Sequence, residues 1–326
     1  MMSFGGVILG LVLLIGGGGL LVRGASELAA KIGISPMIVG LTIVGFGTSA
    51  PELMVNVMGA LRGETALAFG NVVGSNISNL GLVLGVAAII APITLHSAVV
   101  RREVPYLLLA TTMITVMALD GPLEGAHAAI GRTDSIILLL MFCIFIYITA
   151  MDCIRSEQSD QLLLDIDHNP VVNAHPEGRM SWLLVFGGFA LLFIGGELTV
   201  RNGSALAAQF GVSPTIIGLF VVAVGTSMPE LVTSVIAAMR GESDLALGNV
   251  IGSNIFNSLL VLPVSGLLVQ IPIPAGGVTD LAVSWLFAAA LLPIFFIGKA
   301  RFGRKSGVFF LAGYCAYAAV RILGPS

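Results

Sequence analysis

Charge is scarce in this chain. Only 10% of its 326 residues are Asp, Glu, Lys or Arg, 56% are hydrophobic, and mean hydropathy is +1.02. Soluble domains carry about 25% charged residues, so a chain this poor in charge cannot solvate its surface in water and reads as a polytopic membrane protein. The net charge of −3 gives no sign of a nucleic-acid partner, and none is expected. Cysteine is sparse as well. Cys143, Cys153 and Cys315 have no ligand spacing and read as small apolar filler, not as a disulfide or metal site. The four histidines, His96, His127, His168 and His175, are scattered near predicted loops and read as solvated. The start, Met1-Met2-Ser3-Phe4-Gly5-Gly6, lacks the positive stretch and small-residue cleavage site of a signal peptide, so the first apolar run is expected to be a retained membrane helix.

Long apolar runs are abundant. A span needs about 20 residues, and such runs occur near 5–29, 36–60, 66–91, 103–119, 133–153, 181–206, 214–238, 244–269, 280–298 and 307–323. Those at 36–60, 66–91, 214–238 and 244–269 are interrupted by Gly, Pro and polar residues. The polar stretch 154–180 divides the ten spans into a first unit, 1–153, and a second, 181–326. It reads as a flexible tether, since no EF-hand spacing is present.

The two units repeat at an offset of 178 positions. Gly47-Thr48-Ser49-Ala50-Pro51-Glu52-Leu53 returns as Gly225-Thr226-Ser227-Met228-Pro229-Glu230-Leu231. Gly74-Ser75-Asn76-Ile77 returns as Gly252-Ser253-Asn254-Ile255, and Arg62-Gly63-Glu64 as Arg240-Gly241-Glu242. Chance similarity of apolar segments would match Leu and Val, not Asn, Ser, Glu, Arg and Pro in register. Each unit has an odd number of spans, so its copy enters the membrane from the opposite side. The predicted fold is an all-α polytopic membrane protein of ten helices, in two inverted five-helix repeats with broken helices at the midplane. With both termini outside, eleven Lys and Arg fall on the inner side and four on the outer. Positive charge favours the cytoplasmic side, which places 154–180 in the cytoplasm and the chain in the cell membrane.

Glu52 and Glu230 each put one ionisable carboxylate inside an apolar run. A charge at the bilayer centre costs roughly 3 kcal/mol on insertion scales, so such a residue points to function. Pro51 and Pro229 break the helix beside each, freeing carbonyls that are tolerated at this depth only where they face protein or a cavity. A plain proline kink is the alternative, and a buried Glu next to the proline in both repeats argues against it. Thr48 and Ser49 lie four and three positions before Glu52, and Thr226 and Ser227 repeat this before Glu230, so hydroxyls and carboxylate share a helix face. Ser75 with Asn79, and Ser253 with Asn257, are four apart and offer a hydroxyl and an amide oxygen each. Asn71, Asn76, Asn249 and Asn254 read as packing braces. The arginines at the Arg62-Gly63-Glu64 and Arg240-Gly241-Glu242 turns read as solvated helix-end charges in preference to gating groups. An oxygen-only set without thiolate or imidazole suits Ca²⁺, Mg²⁺ or Na⁺ over Zn²⁺ or Cu.

These motifs resemble the two alpha repeats of the calcium/cation antiporter superfamily, and specifically its prokaryotic sodium/calcium exchangers. The repeats cover about 36–91 and 214–269. The resemblance implies Ca²⁺ binding by Glu52 and Glu230, both sharing in Na⁺ binding, and a ligand set completed by Thr48, Ser49, Ser75, Asn79, Thr226, Ser227, Ser253 and Asn257. It places backbone ligands at the carbonyls of Gly45 and Ala223. It implies an antiporter that is not an enzyme, with Ca²⁺ and Na⁺ as transported ions, no cofactor, a lipid bilayer as surroundings and no obligate protein partner. Several family members carry Asp where this chain has Asn257, which lowers the site's negative charge and leaves Ca²⁺/H⁺ exchange as the alternative coupling. A cation channel ranks lower because channels form rings from several subunits and this site closes within one chain. A membrane enzyme ranks last, since no nucleophile–base pair or zinc motif adjoins the two Glu.

Overall fold

The structure, a computed structural model, describes residues 2–63, 65–94, 100–123, 128–166, 178–210, 223–296 and 301–323. The first repeat opens with α1 (Met2–Ile32), then a pair of half-helices, α2 (Pro36–Thr48) and α3 (Ala50–Leu61), bent by 41°. α4 runs over Thr65–Ser78, widens into a π turn at Asn79–Val83 and continues over Leu84–Ile90. α5 (Val100–Leu123) and α6 (Arg132–Ile166) complete the repeat. The second repeat follows the same order. It holds α7 (Gly178–Gln209), the half-helices α8 (Ala223–Thr226) and α9 (Met228–Met239), then α10 (Ser243–Phe256, a π turn at Asn257–Val261, and Leu262–Leu268). α11 (Gly277–Phe296) and α12 (Arg304–Leu323) end the chain's helices.

Eight of these helices are long and apolar enough to cross a bilayer, and α2 with α3 form a ninth, bent crossing among the described residues. α8 and α9 are the described part of the tenth, predicted at 214–238, of which 214–222 lie outside the described residues. The four histidines also lie outside them. The fifth span continues as helix past 153 to Ile166. No Gly or Pro interrupts that stretch, and Glu, Gln and Leu there are good helix formers.

The repeat symmetry is kept residue for residue at the centre. Thr65–Ser78 and Ser243–Phe256, and the two π turns after them, begin and end 178 positions apart. Gly63 and Gly241 take left-handed backbone (φ 76° and 80°), which is why the Arg-Gly-Glu turns need glycine. Four short strands tie the halves crosswise. β1 (Ile93–Thr94) pairs antiparallel with β4 (Arg301–Phe302), with Ile93 opposite Phe302, and β2 (Ala129–Ile130) pairs with β3 (Ile271–Pro272). Each repeat thus lends one strand to each ladder, as a two-fold arrangement requires.

α4 and α10 form the centre, with 72% and 94% of their spans buried against 11% of α12. α10 crosses α2 at backbone contact. A Cβ on Gly252 would stand 2.5 Å from the Leu41 carbonyl oxygen, so only glycine permits the approach. At the periphery α5 packs on α11, α6 on α10 and α12 on α4. The outer pairs are stapled with opposite polarity. Arg102 on α5 joins Glu103 and reaches Asp152 on α6, whereas Asp280 on α11, 178 positions after Arg102, holds Arg321 on α12 at 3.1 Å. α1 and α7 lie against each other along their length, with Gly10 and Gly195 in mutual backbone contact and Lys31 donating to Ser181 at 2.9 Å.

Candidate functional site

The helix breaks fall at Ser49 (φ −84°, ψ 0°) and Ser227 (φ −86°, ψ 6°). Pro51 and Pro229 sit in the first turn of the helices that follow, where a missing N–H costs nothing. The residue type that ends one half-helix therefore starts the next. It also puts Glu52 and Glu230 into first turns, at the positive end of the helix dipole.

Both carboxylates are fully buried, at 0% exposure. Neither meets a Lys or Arg, since the ion pairs among the described residues join Arg23 to Glu27, Arg102 to Glu103 and Asp152, and Arg321 to Asp280. None of the four carboxylate oxygens has a protein hydrogen bond of ordinary geometry. Glu230 lies within electrostatic reach of Glu52, with Thr48 and Ser253 beside it. Two buried like charges at close quarters are expensive unless a cation or protons join them.

Around them is a surplus of oxygen lone pairs. Thr48 Oγ1 stands 3.0 Å from Asn249 Oδ1, 3.1 Å from Ser253 Oγ and 3.4 Å from the Gly45 carbonyl oxygen; Ser253 Oγ stands 3.4 Å from the same carbonyl. Two hydroxyls bring two protons for all these acceptors. Ser49 Oγ, Ser227 Oγ, Asn79 Oδ1 and both polar atoms of Asn257 are buried without partners. A buried polar atom left unpaired costs about 1–3 kcal/mol, so a cluster of them reads as a ligand shell. Ser75 is buried at 4% exposure on the same helix as Asn79. Thr226 is half-buried at the end of α8, whose first residue is Ala223. Every described oxygen donor is hard, and no group of three His, Cys, Asp or Glu that could hold a metal occurs among the described residues.

The set crosses the repeat boundary. Thr48 and Gly45 of the first repeat meet Asn249 and Ser253 of the second, and Asn79 of the first donates to Asn254 Oδ1 of the second at 3.3 Å. Asn76 donates across the boundary to Ser258 Oγ at 2.9 Å. Asn71 is the brace expected, donating to Asn56 Oδ1 at 2.7 Å.

Asn249 does more than brace. Its Nδ2 donates to Ser234 Oγ at 2.9 Å and to the Glu230 carbonyl at 3.3 Å, which turns Oδ1 toward Thr48. The spacing of the sequence alone treats it as packing because its partner lies 201 positions away. The π turns were also not anticipated. Each begins at the asparagine assigned to the site, Asn79 or Asn257, and π turns recur at functional sites because they displace one residue from the helical register.

α7 covers the break from one side. A Cβ on Gly47 would fall 2.0 Å from the Phe189 ring, and one on Gly225 would fall 2.1 Å from Val200, which explains the glycine before each Thr-Ser pair. Between α3 and α7 lies a cavity of about 380 Å³, bounded by Met54, Met58 and Arg62 on one wall and by Leu192 and Glu197 on the other, and reaching Pro51, Thr226 and Pro229.

Comparison with known proteins bears on this geometry. A family profile described as sodium/calcium exchanger protein matches residues 2–151 and 180–323. The chain is 38% identical to the antiporter CaxA of Alkalimonas amylolytica, over 95% of this chain and 96% of that one. It is 32% identical to the sodium/calcium exchanger MaX1 of Methanosarcina acetivorans, over 96% of this chain and 97% of that one. Among solved structures, the sodium-calcium exchanger NCX_Mj soaked with Na⁺ and Ca²⁺ superposes with a TM-score of 0.81 at 30% identity, covering 98% of both chains.

Proposed function

The chain belongs to the sodium/calcium exchanger family, and from that premise we propose that it exchanges Ca²⁺ for Na⁺ by alternating access at a site built around Glu52 and Glu230. It is a multi-pass membrane transporter and not an enzyme. It moves Ca²⁺ against another cation, and the ions are substrates, with no resident cofactor.

The observation that carries the site assignment is the pair of fully buried carboxylates, one from each repeat, with no protein cation to neutralise either. Two carboxylates balance one Ca²⁺, and Ca²⁺ accepts six to eight oxygens in flexible geometry. Thr48, Ser253, Asn79, Asn257, Ser49 and Ser227 supply further oxygens, with Ser75, Thr226 and the carbonyls of Gly45 and Ala223 completing the shell. The same hydroxyl and carbonyl oxygens suit dehydrated Na⁺. Because the two ion sets draw on the same carboxylates, occupancy by one excludes the other, and exchange follows from competition.

We place both termini outside and the 154–180 connection in the cytoplasm, with 1–153 and 181–326 as the two repeats. The Lys and Arg distribution supports this orientation, and the resemblance to the inner membrane protein YrbG of Escherichia coli, at 32% identity, supports the cell membrane as location. In that orientation the cavity lined by Arg62 is the outer entrance.

Purified protein in lipid vesicles tests the reading. Ca²⁺ uptake driven by an outward Na⁺ gradient is expected, with no uptake when a pH gradient alone is imposed. Uptake driven by the pH gradient in Na⁺-free medium transfers the assignment to Ca²⁺/H⁺ exchange, and Asn at both 79 and 257 is the feature that makes this second reading worth measuring.

A further inference from the structure

The two repeats are not in the same state. Arg240, at the end of α9, donates from Nη1 to the Gly19 carbonyl of α1 at 2.9 Å. Beside this bond α1 lies tight on α9, where a Cβ on Gly18 would stand 2.9 Å from Val232 and 3.0 Å from Ile236. Moving 178 positions along the repeat exchanges each partner. Arg240 corresponds to Arg62, Gly19 to Glu197, Gly18 to Gly196, and Val232 and Ile236 to Met54 and Met58. That second contact is open. The nearest atom to a Cβ on Gly196 is Pro229 Cγ at 4.0 Å, Met54 and Met58 are 59% and 46% exposed, and Arg62 and Glu197 line the cavity without an ion pair between them.

We propose that Arg240 and Arg62 are alternating latches: Arg240 on the Gly19 carbonyl holds the present conformation, and in the opposite-facing one Arg62 closes on Glu197 while the Arg240 bond opens. The inference rests on the antiporter reading, because alternating access in an inverted repeat exchanges the conformations of the two halves around a fixed site. α1 and α7 are packed together along their length, so withdrawal of α1 from α9 and approach of α7 to α3 are one displacement. The latches are unequal in chemistry. Gly19 offers only its carbonyl. Glu197 offers a carbonyl and a carboxylate, so the Arg62 latch is charge-assisted.

The test is thiol labelling by a membrane-impermeant maleimide in open membrane fragments, on the full chain with Cys143, Cys153 and Cys315 replaced by Ser. Met58→Cys reports the α3–α7 side and Ile236→Cys the α1–α9 side. Arg240→Gln is expected to lower the Met58-to-Ile236 labelling ratio, and Arg62→Gln and Glu197→Gln to raise it, each by about two- to fivefold, the size of an exposed charged contact. Glu197→Arg alone should raise the ratio, and combination with Arg62→Glu should restore it. Arginine variants that shift the ratio in the same direction, or a charge swap that merely sums its single changes, overturn the latches. Ca²⁺ flux by the parent protein in vesicles is recorded separately. Absent flux with the labelling pattern intact defeats the antiport reading alone, and intact flux without the pattern defeats the latches alone.

Discussion

Replacement of Glu230 by Gln removes one of two buried carboxylates while preserving shape. The consequences for ion binding and for stability should have opposite signs. Two unit charges about 4 Å apart interact by about 4 kcal/mol at an effective dielectric constant of about 20, so a divalent ion and one carboxylate interact by about 8 kcal/mol before the ion's desolvation is counted. If half of that survives as net affinity, the loss is about 4 kcal/mol, or roughly a thousandfold in Kd at about 1.4 kcal/mol per tenfold. Stability in divalent-free buffer should be unchanged or higher, because Glu230 has no cationic partner to lose. Thermal unfolding with and without Ca²⁺ reads both quantities. A ligand at a hundred times its Kd stabilises the folded state by about 2.7 kcal/mol, and the variant should lack that gain at the same concentration. Flux in vesicles should disappear in parallel. A Ca²⁺ half-saturation within tenfold of the parent, or a loss of about 2 kcal/mol or more without Ca²⁺ (the cost of leaving a buried partner unpaired), would show that the carboxylate is structural and refute the reasoning.

Three further outcomes are expected. Asn257→Asp adds a third carboxylate to the proposed site and should change the Na⁺ or pH dependence of transport more than its maximal Ca²⁺ rate; an unchanged cation dependence would mean the position only packs. Asn249→Ala removes the two amide hydrogen bonds to Ser234 Oγ and the Glu230 carbonyl and should cost about 1–3 kcal/mol in unfolding, with Ca²⁺ affinity reduced as well because Oδ1 no longer orients Thr48. Gly252→Ala drives a methyl into the Leu41 carbonyl at 2.5 Å and should destabilise by about 1–3 kcal/mol through overpacking; an unaltered unfolding temperature would mean α2 and α10 are farther apart than described.

Much of this molecule was legible in one dimension. Pro51 dictates a break, and the break at Ser49 puts Thr48 and Glu52 on two half-helices in place of the single helix face that spacing predicts. The recurrence of Thr48, Ser49, Pro51 and Glu52 178 positions later points to a site made of two halves. Burial of Glu52 and Glu230 agrees with that reading. The boundaries of the long helices were less legible. α6 continues to Ile166 because helix propensity persists after the apolar run has stopped, and hydropathy registers only the apolar run.

Local order and internal symmetry were determined by sequence, because helical periodicity, proline's missing N–H and repeated polar residues act within a few positions of each other. Tertiary structure decided everything that depends on which surfaces meet. It kept Asn249 as a brace while aiming its Oδ1 at Thr48, put the Phe189 ring on Gly47, inserted π turns at Asn79 and Asn257, and closed α1 on α9 while leaving α7 apart from α3. The physical reason lies in the repeat itself. Near-identical local sequences favour near-identical helices in both halves, but only the packing of the whole chain can place those halves in two different states.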